Sequence, residues 1–196
     1  MAKRFLVALA APIAATGCQS STDLPTAPPK TVTMVAQGGF TSPSDAVASP
    51  NGKDFYFAAY DANLLPAIFH TSSSPGGAID ELAMDDPLEA PIGLVMSCDG
   101  KTIYVADLGG DSGAVLSVST GGGGANDLGA TGIVRPGGLA MGPDCKTLYM
   151  TGLTDDGTFT PALFTMPVTG GGATIVYSGA PLVSPTGLHV DDQGVA

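Results

Sequence analysis

Four prolines constrain this chain more than any other feature. Pro43, Pro91, Pro136 and Pro185 recur at spacings of 48, 45 and 49 residues, and each opens a segment of one pattern. The segments read PSDAVASPNGKDFYFA, PIGLVMSCDGKTIYVAD, PGGLAMGPDCKTLYMT and PTGLHVDDQG. A tight turn follows each Pro at the same offset: Asn51-Gly52, Asp99-Gly100, Asp144-Cys145 and Gln193-Gly194. In the three complete units a Lys comes next, then an apolar strand around Tyr56, Tyr104 or Tyr149. A third strand follows (67–71, 114–119, 162–167), then a Gly-rich turn and a fourth strand. A repeat of this length cannot bury its apolar face alone and must stack on its neighbour.

Four short strands in a unit of about 45 residues make the blade of a β-propeller. The Asn-Gly and Asp-Gly pairs suit the left-handed backbone of a hairpin joining the inner two strands. Composition agrees. Gly (28) and Pro (16) are abundant, charged residues make up 13%, and no apolar period of 3.6 residues persists beyond the N-terminus. The expected fold is all-β, a partial propeller of about three four-stranded antiparallel blades near 42–84, 90–129 and 135–179, with the start of another at 184–196. The segment TVTMVA at 31–36 resembles the fourth-strand segment ATIVY at 173–177 and reads as the outer strand of a closing blade. A six-bladed ring at this repeat length needs roughly 280 residues, so the chain reads as a truncated propeller.

The first residues read as an address. Lys3 and Arg4 precede a short apolar run from Phe5 to Ala15, and Ala15-Thr16-Gly17-Cys18 follows. This resembles a bacterial lipoprotein signal, although Ala15 stands where Leu is usual and Pro12 interrupts the apolar run. The resemblance implies cleavage after residue 17 and lipidation of Cys18. Residues 18–30 (CQSSTDLPTAPPK) then read as a lipidated N-terminus and Pro-rich tether holding a domain at 31–196 off a membrane. The implied location is the cell envelope, and Gln19 after the Cys points to an outer membrane or cell surface.

The P-x-G-L…DGKTIYVAD run at 91–107 resembles NHL-type repeats and, more broadly, six-bladed TolB-like propellers. That resemblance bears on architecture, because such propellers serve as scaffolds, binding proteins and hydrolases alike. Similarity to gluconolactonase-type hydrolases implies a divalent metal at the channel mouth held by Glu and Asn. Here Asp45 and Asp107 fall near that region, without a matching Glu/Asn set. Asp45 stands where the other repeats have Gly93, Gly138 and Gly187.

Antiparallel strand order puts the first–second turns at one end of the blades (the turn end). It puts the second–third loops and the connections between blades at the other (the loop end). Asp45, Asp61, Asp85, Asp86, Glu89, Asp107, Asp111, Asp155 and Asp156 fall at the loop end, with Arg135 alone opposing them, whereas Lys53, Lys101 and Lys146 lie at the turn end. Carboxylates converging on a mouth suit Ca²⁺, another divalent cation or a cationic ligand. The same acids equally suit solvated loops of an acidic exported protein. Asp45, Asp107, Asp111, Asp155 and Asp156 are the candidate binding residues, with Asp45 and Asp107 the candidate metal ligands. No catalytic residue stands out. Gly110-Asp111-Ser112-Gly113 spells a protease nucleophile motif, but it falls in a second–third loop, and His70 and His189 read as packing residues.

With Cys18 acylated, Cys98 and Cys145 remain as an even pair, both in first–second turns of adjacent blades. Cys98 stands where Pro50 and Pro143 stand, and Cys145 where Gly52 and Gly100 stand. Two turn residues replaced by Cys in neighbouring blades suggest a disulfide, unless the turns lie more than about 7 Å apart. Net charge is −11, and without residues 1–17 five basic residues face 18 acidic ones. Such a surface repels phosphate backbones, so nucleic acid is not an expected partner. The expected function is an envelope lipoprotein whose propeller binds an unknown protein or small molecule. The alternatives are a metal-dependent gluconolactonase-like lactonase or esterase, and a purely structural surface repeat protein.

Overall fold

The computed structural model describes residues 33–191, 193 and 194. The expected signal, Cys18, the expected tether and the first residues of the 31–36 segment lie outside the described residues.

Three four-stranded antiparallel sheets follow one another along the chain. The first comprises β1 (Phe40–Ala48), β2 (Asp54–Asp61), β3 (Pro66–Ser72) and β4 (Ile79–Met84). The second comprises β5 (Pro91–Met96), β6 (Thr102–Asp107), β7 (Ala114–Ser119) and β8 (Ala125–Asp127). The third holds β10 (Leu139–Met141), β11 (Thr147–Thr154), β12 (Pro161–Pro167) and β13 (Thr174–Ser178), with the two-residue β9 (Ile133–Val134) paired to the far end of β11. Every sheet runs in chain order from its Pro-led strand outward, and β5 packs against both β1 and β10. These are the expected blades, arranged as an open arc.

The blades adhere through alternating side chains. Tyr56, Ala58 and Ile68 of the first blade pack on Leu94, Met96, Ile103, Val105, Leu116 and Val118 of the second. Tyr104, Ala106 and Val115 pack in the same way on Leu139, Leu148, Met150, Phe164 and Met166 of the third. Each fully buried large side chain contributes about 1.5–3 kcal/mol, so the stacked faces hold the arc together. A third cluster (Phe57, Ala59, Ala67, Phe69) lies on the opposite face of blade one, where Phe40 meets Phe57 edge-on at 4.8 Å. Thr71 belongs to that face and stands where Val118 and Met166 stand in the other blades. Its hydroxyl is buried with no hydrogen-bond partner among the described residues.

The inner strands share one irregularity. Register shifts fall between Thr41 and Asp45 in the first blade and between Pro91 and Gly93 in the second. In the third, Pro136 to Gly138 precede β10, and Gly138 bonds the Thr151 hydroxyl. The cause is crowding around the axis. A Cβ on Gly93 would lie 2.4 Å from the Gly137 carbonyl oxygen, and one on Gly138 would lie 2.7 Å from that of Thr186. Residues 185–191 therefore occupy the place of a fourth inner strand beside β10, although they form no strand themselves.

The closing-blade partners expected for 31–36 are not among the described residues. Residues 33–37 form no strand. The Val35 carbonyl instead accepts bonds from the Gly76 and Gly77 amides of the first blade's Gly-rich turn.

Candidate functional site

The turn end is built by repeated short staples. Asn51 accepts the Lys53 amide, Asp99 the Lys101 amide and Asp144 the Lys146 amide. The Ser97 hydroxyl, then the Lys101 amide, lower the Asp99 pKa, and the Thr147 hydroxyl does the same for Asp144. Here the Cys98–Cys145 disulfide joins blade two to blade three, with Cα atoms 5.8 Å apart.

The loop end follows a different rule. The last residue of each second strand is buried and polar: Asp61, Asp107 and Thr154. Asp61 accepts the amides of Asn63 and Leu65, each at 2.8 Å, and the Leu65 bond leads in lowering its pKa. Asp107 accepts three amides, from Glu89 (2.9 Å), Ala90 (2.9 Å) and Gly109 (2.7 Å). Glu89 in turn accepts the Gly110 amide at 2.7 Å, and Gly109 has to be Gly because a Cβ there would lie 2.0 Å from Glu89 Cβ. The connection between blades one and two is thus tied to the second–third loop of blade two. In blade three, Thr154 donates to Asp156, which also accepts the Thr158 hydroxyl and amide.

Those bonds, the Thr158 hydroxyl foremost, hold Asp156 at about 2, below its ordinary 3.8. A carboxylate with a depressed folded pKa stabilises the fold above its unfolded pKa and loses that contribution as pH falls through the folded value. Asp61, Asp99, Asp144 and Asp156 all act in this direction. The melting temperature should therefore fall steadily as pH drops from about 4 towards about 2, and Asp156→Asn should flatten the lowest part of the curve. An Asp156→Asn profile parallel to wild type would remove Asp156 from loop building.

The five candidate binding residues divide by their partners. Asp45 Oδ2 accepts the Leu94 amide of blade two at 2.7 Å, and Oδ1 accepts the Ala46 amide. Asp45 therefore ties blade one to blade two, and Asp107 and Asp156 tie loops. Asp111 and Asp155 are exposed and make no hydrogen bond or ion pair among the described residues. No three His, Cys, Asp or Glu side chains among the described residues are placed to hold one metal ion. Asp45 and Asp107 instead accept main-chain amides, so in the described residues both carboxylates serve the chain's own loops.

Ser112 lies in a loop whose turns are set by Gly110 (φ +62°) and Gly113 (φ +74°), and its carbonyl accepts the Arg135 amide at 2.6 Å. His70 sits between Asp54 (3.0 Å) and Asp80 (3.5 Å) and against the Tyr56 ring, as a packing residue. The protease motif is a loop.

Sequence reasoning missed a cleft. Ile92, Leu108, Leu153, Pro185 and the exposed Arg135 line a cavity of about 350 Å³ beside the inner strands. Arg135 is held in left-handed backbone (φ +53°), a conformation rare for a large side chain. Leu64 (φ +67°) and Phe159 (φ +52°) share it, each two residues before the Pro that opens a third strand, and are 70% and 57% exposed. Neither of them lines the cleft.

No model of a known protein family matches the sequence, and no well-characterised protein matches it closely in sequence. Solved structures do match the fold. A chain in a nidogen/laminin complex is 27% identical, with a TM-score of 0.58 over 71% of this chain and 49% of that one. A TolB-like protein of Agrobacterium tumefaciens, described as putative, is 19% identical, with a TM-score of 0.61 over 74% of this chain and 50% of that one. The chain thus spans about half the length of the propellers it matches. The fold is that of a β-propeller, open in the residues described.

Proposed function

We propose that this chain is an exported envelope lipoprotein, anchored through Cys18, whose propeller is a scaffold binding its partner or ligand at the loop end. One observation carries the binding half: the cleft beside Arg135, whose loops are fixed in advance by buried carboxylates and hydroxyls. Pre-organised loops lose little entropy on binding. Apolar walls with one exposed guanidinium suit a small ligand bearing an apolar body and an acidic group. The anchoring half rests on the Lys3-Arg4 start, the apolar run and Cys18.

Both halves are tested on the full chain expressed in a bacterial host. Mass spectrometry of the membrane fraction should find a diacylated N-terminal Cys18, and Cys18→Ala should release the protein. A mature chain retaining Met1 would defeat the anchoring claim. A library of small apolar carboxylates, screened by thermal shift, should give hits that disappear in Arg135→Gln. Hits indifferent to Arg135, or none at all, would remove the cleft as the site.

A further inference from the structure

The turn tips of neighbouring blades meet through two recurring positions. The seventh residue after a leading Pro is Pro50, Cys98 or Pro143, and the ninth is Gly52, Gly100, Cys145 or Gly194. The seventh-position residue of one blade faces the ninth-position residue of the next. Between blades one and two, Pro50 lies so close to Gly100 that a Cβ there would sit 2.9 Å from Pro50 Cδ. Beyond blade three, Pro143 lies against Gly194, its Cγ 3.8 Å from where a Cβ would be. Between blades two and three the same two positions hold Cys98 and Cys145, and the contact is a disulfide. A covalent bond has replaced a Pro-on-Gly contact at this interface alone.

That bond is placed for chemistry. Cys98 and Cys145 are both exposed, although the two blades that carry them are complete, so their exposure belongs to the turn tips themselves. A thiolate reaches a sulfur at the surface directly, and exposed disulfides are the exchangeable ones. Adhesion of the blades does not depend on the bond. Tyr104, Ala106 and Val115 pack against Leu148, Met150 and Phe164 across the same interface. Blades one and two adhere through a similar apolar cluster with no cross-link. What the bond does fix is the turn at Cys145. Its φ is +57°, where the other turns have Gly52 and Gly100. Left-handed backbone disfavours a side chain, and once the bond opens no Pro-on-Gly contact is there to hold the tip.

We propose that Cys98–Cys145 is an exchange site for dithiol reductants, and that reduction in the folded protein frees the two turn tips from each other while blades two and three stay packed. A thiolate of the reductant attacks one of the two sulfurs, the bond between Cys98 and Cys145 breaks, and the departing cysteine takes up a proton. The second thiol of the reductant then attacks the mixed disulfide and releases the other cysteine as a thiol. Two electrons and two protons pass to the protein, and the dithiol leaves as a disulfide. An oxidised thiol reagent reverses the step. The oxidised clasp is firmer than the Pro-on-Gly contact of the other interfaces, and the reduced one is looser. This inference is independent of the loop-end reading.

Cys18→Ala in the full chain leaves Cys98 and Cys145 as its only cysteines. Incubated in millimolar dithiothreitol without denaturant, this protein should become open to iodoacetamide at both positions, at a rate proportional to reductant, as read by mass spectrometry. Oxidised glutathione should restore the bond, and the reduced protein should keep a cooperative unfolding transition. The Cys145 amide, bonded to the Gly142 carbonyl, should exchange on the order of tenfold faster after reduction. The Gly52 amide, bonded in the same way to the Ser49 carbonyl, should not change. Cys98→Pro with Cys145→Gly installs the contact of the other interfaces, and exchange in its turns should ignore reductant. A bond that is reduced only where urea also unfolds the chain would overturn the proposal. So would reduction that collapses the fold, or reduction that leaves exchange at Cys145 unchanged.

Discussion

Replacing both Cys98 and Cys145 with Ser should lower the unfolding free energy by about 4 kcal/mol, the chain-entropy value for a loop of this length. The cross-link joins residues 47 apart in sequence, and its removal frees the unfolded chain to explore states now denied to it. In the native arc the bond also pins blade two to blade three at the turn end, where the neighbouring contacts are short polar staples. Backbone conformation at Cys145 supplies an internal check. Its φ is +57°, at a position where the other turns have Gly52 (φ +68°) and Gly100 (φ +71°). A side chain in the left-handed region costs about 1–2 kcal/mol, so Cys98→Ser with Cys145→Gly should recover roughly 1 kcal/mol relative to the double Ser variant. Urea unfolding with and without reductant reads both effects. Reduced wild type should behave as the double Ser variant does, and a wild-type curve indifferent to reductant would refute the cross-link's contribution.

The blades and the cross-link were legible because each follows from a local rule that few residues satisfy. Left-handed turn positions select Gly, Asn or Asp, so the turns at Asn51-Gly52 and Asp99-Gly100 mark the hairpins, and Cys145 at a Gly position stands out. Alternating apolar residues around Tyr56, Tyr104 and Tyr149 fix which face of each second strand meets the next blade. The fates of the loop acids were not legible. Asp107 bonds amides 17 and 18 residues away, and Asp45 bonds one 49 residues away. Such pairings depend on how a loop folds over its neighbour, for which spacing has no rule. A carboxylate aimed at a metal and one aimed at backbone amides look the same in sequence.

Asp107 decides between those two uses of a carboxylate. It is only 2% exposed, and its two oxygens accept three main-chain amides that join the connection at Glu89 and Ala90 to the loop at Gly109. Hydrogen bonds to an ionised acceptor are stronger than neutral ones, and a buried donor left unpaired costs about 1–3 kcal/mol. Asp107→Ala strips all three donors at once. Glu89 is exposed and Ala90 and Gly109 are half-buried, so the freed amides can turn partly to water, and the expected loss is about 3–5 kcal/mol instead of the full sum. Asp107→Asn keeps one acceptor oxygen but turns an NH₂ towards amides that also donate, for a loss of about 2 kcal/mol. Asp111→Asn, exposed in the same loop, should change stability by less than about 0.5 kcal/mol. The order Asp107→Ala, Asp107→Asn, Asp111→Asn should be the same in chelator and in millimolar calcium, because the bonds that Asp107 makes are to the chain itself. A loss that appears only when calcium is present would instead identify Asp107 as a metal ligand.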